Sequence, residues 1–419
     1  MMVPRTYFLH VPKTAGVTLK TYLENQVPSD AVLAIDAERA RTLPCATLNR
    51  FRVWSGHYDG TVLAALSPTP ATVVMLRERV ARLRSWAAHG RRLTNPTLHA
   101  PFAGRTDLDI AVENDQGNAR QATRLQRALR ADGAAPALAP ADLDAMLGGI
   151  DVVGLTEEFD RSLQLIAFRL GGTLPPLGWQ LNRRPDAPAD DDAESAALRD
   201  VLAIDVALHQ RATTRFWDDY AWMRRGRGPA ATTLPAAAAD VPLTTVQDWL
   251  AQYRDGQRAA APRQQQLAVD IDGNDPVCGD GWWWRECPGP HAYRWTGPGT
   301  ATHVPLGALS PALDYTVAVE LCGAADWSVW NSLQLDVNGR PLALVREQVP
   351  PGHPRQITLR ATARLPREVV ARSRTTTLSL VVDHTRPVPG APLVEESLDT
   401  RHRDVRAVGL AVQRITVAA

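Results

Sequence analysis

The chain has 46 basic residues, and only Lys13 and Lys20 among them are lysines. Lys13 follows an apolar run at residues 7–11, which predicts a buried strand, and precedes residues 17–23, which predict the start of a helix. The turn between them places backbone amides at a helix N-terminus beside a compact positive charge. This combination is typical of a phosphate or other anion site, whereas the alternative is an ordinary surface lysine. The G-x-x-x-x-G-K-[ST] pattern of nucleotide triphosphatases is absent.

A second strand-to-helix segment, residues 73–92, carries several arginines. Arg77 stands where the apolar strand VVML ends, and Ser85 follows about two helical turns later. A guanidinium fork suits a terminal phosphate, and a hydroxyl on the same side adds a donor. The alternative is a helix with a solvated arginine face.

A histidine ends another short apolar strand, in VWSGHYDG at residues 53–60. His57 is therefore expected at the carboxyl edge of a sheet, where open α/β sheets carry their ligands. Histidine is the usual general base near neutral pH, although a lone histidine is more often structural. His10 lies within the first strand and is interpreted as a packing and hydrogen-bonding residue.

Four segments together resemble the Golgi-type carbohydrate sulfotransferases, a group that includes the heparan-sulfate O-sulfotransferases. They are VPKTAGVTL, VVMLRERVARLRS, GNARQATRL and GLTEEFDRSL, in family order within residues 5–220. The first resembles the loop that grips the 5′-phosphosulfate end of the sulfate donor, and the second resembles the segment that holds its 3′-phosphate. The chain departs from the family at Ala15, where glycine is usual, and at Glu78-Arg79, where Asp-Pro is usual.

The resemblance implies that 3′-phosphoadenosine-5′-phosphosulfate is the co-substrate and that no metal is required. Its implied 5′ contacts are Lys13, Thr14, Ala15, Gly16, Val17 and Thr18. Arg77 and Ser85 would hold the 3′-phosphate, Lys13 would support the leaving phosphate, and His57 would be the base. The implied sugar contacts are Asn118, Gln121 and Arg124, for which an ordinary polar helix face is the alternative.

Composition limits the class of protein. A formal net charge of +1 argues against a nucleic-acid partner, because nucleic-acid-binding proteins normally carry an excess of basic residues. No apolar run is long enough to span a membrane and no charged leader precedes a long apolar core, so we expect no transmembrane segment and a cytoplasmic location. The preference for arginine, alanine and proline indicates a GC-rich, bacterial origin. Four scattered cysteines predict free thiols.

The layout predicts an α/β domain at residues 1–225, with a P-loop-like parallel sheet flanked by helices in the sulfotransferase fold. A proline- and alanine-rich linker with one short helix is expected at residues 226–262. Period-two alternation then predicts an antiparallel β-sandwich at residues 263–419. One long amphipathic helix is expected at residues 194–220.

Residues 279–299 contain four tryptophans and resemble a segment of accessory β-sandwiches found beside bacterial glycosyltransferases. Exposed tryptophans stack on sugar faces, which would make this half a holder of the glycan acceptor. Buried tryptophans would instead fill a core or anchor a sheet edge. Both interpretations remain open from sequence.

The predicted function is transfer of a sulfuryl group to a hydroxyl of a cell-surface glycan or glycolipid by a carbohydrate O-sulfotransferase. One alternative is a nucleotide-dependent kinase of related fold, which the absent triphosphatase pattern disfavours. Another is a non-catalytic glycan-binding protein whose sulfotransferase half has decayed, which the departures at Ala15 and Glu78-Arg79 leave open.

Overall fold

A computed structural model gives the fold of the chain. It describes residues 3–92, 95–113, 120–173, 177–178, 192–225, 241–260, 265–277, 281–287, 289–370, 376–388, 394–396, 400–402 and 406–419. Within these ranges, no helix combines the length and the apolar character that crossing a membrane requires.

The first half of the chain is built on a five-stranded parallel sheet. Its strands are β1 Thr6–Leu9, β2 Val32–Leu33, β3 Val53–Trp54, β4 Ala71–Leu76 and β5 Val152–Leu155. β1 and β5 are buried at every position, and β4 at all but its first. Continuous apolar runs of this kind are typical of parallel strands covered on both faces.

Helices flank this sheet and connect its strands. They are α1 Gly16–Glu24, α2 Ala37–Thr42, α3 Cys45–Leu48, α4 Gly60–Ala64, α5 Arg79–Gly90, α6 Pro96–His99, α7 Asp107–Glu113, α8 Gln121–Leu129, α9 Asp142–Gly148, α10 Phe159–Leu170, α11 Asp192–Val201, α12 Ala203–Arg224 and α13 Leu243–Ala260. A 3₁₀ turn covers Ser29–Ala31.

The strand order β2-β3-β1-β4-β5 sends neighbouring connections in opposite directions. The chain leaves β1 toward β2 on one side, whereas it leaves β4 toward β5 on the other. Diverging connections open a crevice beyond the carboxyl ends of these two adjacent strands, and such crevices bind ligands in open α/β sheets. The fold therefore places a crevice between the loop after β1 and the start of α5.

The single long helix predicted at residues 194–220 is wrong, because the structure has α11 and α12 separated at Leu202, whose backbone is not helical. The two helices serve different cores. Leu198 and Leu202 are fully buried in a small cluster with Leu83 of α5, whereas Phe216 belongs to the main core around the sheet. A straight helix would leave one of these apolar surfaces exposed.

The short helix predicted within the linker is α13, and it is 18 residues long. Its Val246, Trp249 and Leu250 are buried in the main core of the first half. The ring of Trp249 lies 6.1 Å from that of Phe168 in α10, measured between centroids. α13 therefore packs as part of the first half, while residues 226–240 lie outside the described ranges.

In its described residues, the second half is antiparallel and all-β apart from two short helices, α14 Trp327–Ser332 and α15 Arg367–Val370. Its strands are β6 Ala268–Asp272, β7 Trp282–Glu286, β8 Tyr293–Thr296, β9 Ala301–Gly307, β10 Tyr315–Ala324, β11 Gln334–Val337, β12 Arg340–Pro341, β13 Leu344–Gln348, β14 Leu359–Leu365, β15 Thr376–Val381, β16 Arg386–Pro387, β17 Val394–Glu396, β18 Thr400–His402, β19 Ala407–Val408 and β20 Leu410–Ala418.

A seven-stranded sheet and a four-stranded sheet contribute to one hydrophobic core. Val317, Val319 and Leu321 alternate inward along β10 of the larger sheet, and Leu378 and Leu380 do so along β15 of the smaller one. This alternation matches the period-two pattern of the sequence.

Asn338-Gly339 forms the two-residue turn of the hairpin between β11 and β12. Both turn residues have positive φ, 51° at Asn338 and 75° at Gly339. A primed two-residue turn requires this backbone, which asparagine and glycine adopt at low cost.

If α13 belongs to the core of the first half, Leu250→Ala will remove a fully buried side chain and leave a cavity. We expect a loss of about 2–5 kcal/mol in the free energy of unfolding. Urea unfolding of the full chain, followed by far-ultraviolet circular dichroism, measures it.

Thr245→Ala is the matched control, because Thr245 is exposed on the same helix. This control should change the free energy of unfolding by less than about 0.5 kcal/mol. Equal effects from the two substitutions would contradict the packing of α13.

Candidate functional site

Four chain segments meet at the carboxyl edge of the parallel sheet. Residues 10–15, named here the Lys13 loop, follow β1, and His57 follows β3. Arg77 follows β4, and Glu157 follows β5. Because these strands are parallel, the residues that follow them lie along the same edge of the sheet although they are far apart in the sequence.

The Lys13 loop has a strained backbone. Lys13 and Ala15 have positive φ, 68° and 59°, which is uncommon for residues that carry a Cβ. Strain of this kind concentrates at ligand-binding loops. Glycine would adopt the positive φ of Ala15 at lower cost than alanine does.

The loop leads directly into the N-terminus of α1. Ala15 is the N-cap residue of α1 and contributes no side-chain hydrogen bond to the first turn. Gly16 has no room for a side chain, since a Cβ there would lie 2.0 Å from Nε2 of His10. Thr14 and Thr18 are buried, and the Thr14 hydroxyl donates to the Val11 carbonyl at 2.8 Å. In this structure Thr14 therefore stabilises the turn.

Two arginines from the second segment reach the carbonyl groups of the first. Nη1 of Arg77 donates to the Lys13 carbonyl at 3.3 Å, and Nη1 of Arg82 donates to the Pro12 carbonyl at 3.4 Å. Arg77 thus bridges the crevice between β1 and β4. Ser85 lies half-buried on α5, the helix that begins two residues after Arg77.

Gln121, predicted as a sugar contact, is fully buried. Its side-chain amide accepts from the Arg77 backbone N–H at 3.1 Å and donates to the Arg77 carbonyl at 2.6 Å. With both ends of the amide engaged, Gln121 fixes the backbone that carries Arg77. Asn118 lies outside the described residues.

Asp205 of α12 is a fully buried carboxylate that sequence reasoning did not place in the site. Its two oxygens accept from the backbone N–H groups of Gln121 and Ala122 at 2.8 and 2.9 Å, which caps the start of α8. Burial raises the pKa of Asp205, and the charge of Arg82 opposes that shift. Because both oxygens accept N–H donors, the geometry fits the ionised form.

Arg82 is the counter-charge of Asp205. It is fully buried, and burial lowers its pKa to about 10 while Asp205 raises it. A buried guanidinium at neutral pH remains charged, so it needs both this carboxylate and carbonyl acceptors such as Pro12. The opposite charges of these two buried side chains therefore favour the packing of α5 with α12.

His57 stacks on His10, with ring centroids 3.9 Å apart and planes inclined by 19°. Burial lowers the pKa of His57, and the charges of Arg124, Lys20 and Lys13 lower it further, against a hydrogen bond to the His10 backbone. His57 nevertheless keeps an exposed surface. It is therefore a neutral imidazole near neutral pH that solvent or a ligand can reach.

Arg124, also predicted as a sugar contact, lies beside this histidine. Its Nη2 donates to the His57 carbonyl at 3.1 Å. Burial and the charge of Arg127 lower the pKa of Arg124, whereas Asp59 raises it. The positive charge thus holds the His57 turn and keeps the imidazole uncharged.

A carboxylate that sequence reasoning missed faces Arg77. Glu157 accepts from the Glu78 backbone N–H at 2.7 Å, and its other oxygen lies 3.5 Å from Nε2 of His209. Burial lowers the pKa of Arg77, while Glu157 and Glu78 raise it. The crevice therefore carries a negative group next to the predicted 3′-phosphate position.

Across the described parts of the chain, no three histidine, cysteine, aspartate or glutamate residues are grouped as a metal site. No protein-family model matches this chain, and no curated protein matches it. The geometry of its own residues is therefore the basis for any functional proposal.

The hydrogen bonds of Asp205 and its charge interaction with Arg82 predict that changing one side-chain atom of Asp205 lowers the stability of the fold. Asp205→Asn keeps the shape but removes the counter-charge of Arg82 and points an amide donor toward a backbone N–H. We expect a loss of about 3–5 kcal/mol in the free energy of unfolding, measured by urea titration.

Asp218→Asn on the same helix is the control, because Asp218 is exposed. It should stay within about 0.5 kcal/mol of the wild type. A loss for Asp205→Asn no greater than this would mean that the network is not under electrostatic constraint.

Proposed function

We propose that the chain transfers a sulfuryl group from 3′-phosphoadenosine-5′-phosphosulfate to a hydroxyl of a glycan or glycolipid. The observation that carries this proposal is the meeting of the Lys13 loop with Arg77 at the β1/β4 crevice, with His57 on the adjacent strand. An anion site, a second cation and a neutral base within one sheet edge are the parts that such a transfer needs. On this proposal the first half has the sulfotransferase fold.

The donor would lie across the crevice. The amides that open α1, from Ala15 to Thr18, and the charge of Lys13 suit its 5′-phosphosulfate, because a helix N-terminus attracts negative charge. The guanidinium of Arg77 suits the terminal 3′-phosphate, with the Ser85 hydroxyl as a further donor. If Arg77 exchanged its contact with the neutral Lys13 carbonyl for one with a phosphate, its guanidinium would gain an anionic acceptor.

In the reaction, the acceptor hydroxyl oxygen forms a bond to sulfur as the bond between sulfur and the bridging phosphate oxygen breaks. The hydroxyl proton passes to the imidazole of His57. The leaving electron pair stays on the phosphate oxygen, where Lys13 stabilises it. Positioning and electrostatic stabilisation supply most of the catalysis in such in-line transfers.

The environment of His57 supports the role of base. A lowered pKa keeps the imidazole unprotonated at neutral pH, and its exposed surface allows an acceptor to approach. Arg124 lies next to it and suits hydrogen bonding to a sugar. Stacking against His10 fixes the plane of the ring.

The donor site is tested by calorimetric titration with adenosine 3′,5′-bisphosphate, the nucleotide product. We expect metal-independent binding that falls by roughly 10- to 100-fold in Arg77→Ala, because a charged hydrogen-bond donor to phosphate is lost. The variant should fold, since Gln121 holds the backbone of Arg77 and not its side chain.

Arg91→Ala is the matched control, because Arg91 follows α5 and pairs with Asp107 at 2.6 Å, away from the crevice. It should bind like the wild type. Preference for ATP with magnesium would favour a kinase. Product binding without sulfuryl transfer to any tested glycan would favour a non-catalytic glycan-binding protein.

The pH dependence of turnover tests the base. The ratio kcat/KM, which reports the free enzyme, should fall on the acid side as His57 takes up a proton, at a pH below the ordinary histidine value of about 6.5. Arg124→Gln removes a charge that lowers this pKa, so the acid limb should move to higher pH. Measured rates against pH give both values.

Arg130→Gln is the control, since Arg130 is at the surface and pairs with Asp132 at 2.7 Å. Its profile should match that of the wild type. His57→Ala should retain product binding and lose turnover. A wild-type acid limb in His57→Ala would exclude this histidine as the base.

A further inference from the structure

The tryptophan-rich segment at the start of the second half is turned inward. Trp282, Trp283 and Trp295 are exposed by only 9%, 9% and 7%. Faces buried to this extent leave no stacking platform for a sugar, and the fourth ring, the half-buried Trp284, is covered by the Arg406 guanidinium at 3.9 Å. The segment therefore has another use in the molecule.

Two tryptophans of this segment pack into the first half. Trp283 and Trp295 belong to the hydrophobic cluster that contains the parallel sheet and α1. Around them, Ser29 of the first half donates to the Asn274 side chain at 2.9 Å. The β7–β8 hairpin thus forms a buried contact between the two halves.

Arg285 and Arg294 lie opposite each other in this antiparallel hairpin. Like charges at directly opposed positions repel, and both side chains are buried, exposed by 8% and 4%. Such an arrangement requires acceptors supplied by a partner surface. These two residues are named here the arginine pair.

Each arginine has one acceptor within the second half, the Asn274 carbonyl at 2.6 Å for Arg285 and the Asp275 carbonyl at 2.9 Å for Arg294. The other acceptors are at the C-terminal end of α1. Arg285 donates through Nη2 to the Glu24 carbonyl at 2.8 Å and through Nη1 to the Val27 carbonyl at 3.1 Å. The Asn25 side-chain oxygen accepts from both the Arg285 backbone N–H and the Arg294 guanidinium. Positive charge at a helix C-terminus also interacts favourably with the helix dipole.

α1 has nine residues, so this contact lies about 13 Å from the Lys13 loop along one rigid element. A second connection leaves from the same place. The Glu24 carboxylate accepts from the Ser55 hydroxyl, two residues before His57. Glu24 therefore joins Arg285 to the Lys13 loop, through α1, and to the turn that carries His57.

We propose that Arg285 is a positioning residue, through which the second half holds α1 in place and thereby sets the Lys13 loop and the His57 turn. The inference rests on the proposed function for its consequence in donor binding. Its structural content, the coupling of the β7–β8 hairpin to the loop, does not depend on that function.

Arg285→Met in the full chain tests the proposal. Hydrogen exchange should become about tenfold faster at the amides of residues 13–18, because α1 loses the hydrogen bonds that hold its end. The Kd for adenosine 3′,5′-bisphosphate should rise about tenfold. Arg285→Lys, which restores the charge and part of the hydrogen bonding, should recover part of both effects.

Arg355→Met is the matched control, because Arg355 pairs with Asp272 at 3.2 Å within the second half. It should leave loop exchange unchanged. If Arg285→Met does not fold, Asn25→Ala is the second variant, because it removes the shared acceptor and leaves both arginines in place. Hydrogen exchange at residues 13–18 is then compared between Asn25→Ala and the control.

The outcomes separate the two proposals. Loop exchange in Arg285→Met equal to that of the control would overturn the positioning role, whatever the nucleotide does. Faster loop exchange in a protein whose wild type does not bind the nucleotide would retain the coupling and overturn the sulfuryl-transfer proposal. Faster exchange together with weaker binding supports both.

Discussion

The need of one buried carboxylate for hydrogen-bond donors organises half of the candidate site. Asp205 satisfies its oxygens with the first amides of α8, and this fixes where Gln121 stands. Gln121 in turn holds the backbone of Arg77, whose guanidinium reaches the Lys13 loop. Arg82 supplies the opposing charge and a second contact to that loop. A cation at a strand end is thus held by a chain of buried polar contacts, each of which would be costly to break.

Local sequence patterns predicted the elements that carry the site, because strand ends and helix starts are encoded locally. Lys13, Arg77 and His57 each follow a short apolar run, and the parallel sheet brings those three ends together. The roles of Gln121 and Glu157 were not predictable in the same way. A polar residue on a helix looks the same in sequence whether it faces solvent or a backbone amide, and only the tertiary fold decides between them. The break between α11 and α12 was likewise unpredictable, because only the tertiary fold shows that the two helices pack into different cores.

The tryptophan-rich segment shows a different limit. Its composition fits a sugar platform and a packed interface equally well, since both use large aromatic surfaces. Trp283 and Trp295 are buried in the cluster that contains the sheet of the first half, whereas Trp282 is buried in the core of the second half. The opposed arginines Arg285 and Arg294 were the better signal, because two like charges across a hairpin need acceptors from elsewhere.

The electrostatics of the sheet edge divide it into two sides. On the β3 side, burial lowers the pKa of His57, and the positive charges of Arg124 and the two lysines lower it further. On the β5 side, burial lowers the pKa of Arg77, and the negative charges of Glu157 and Glu78 oppose that shift. An anion bound between these sides would compete with Glu157 for Arg77 while adding negative charge near His57. Because negative charge favours the imidazolium, occupation of the crevice would raise the affinity of His57 for a proton. A base whose pKa is low in the empty site thus becomes a better proton acceptor when the anion is bound.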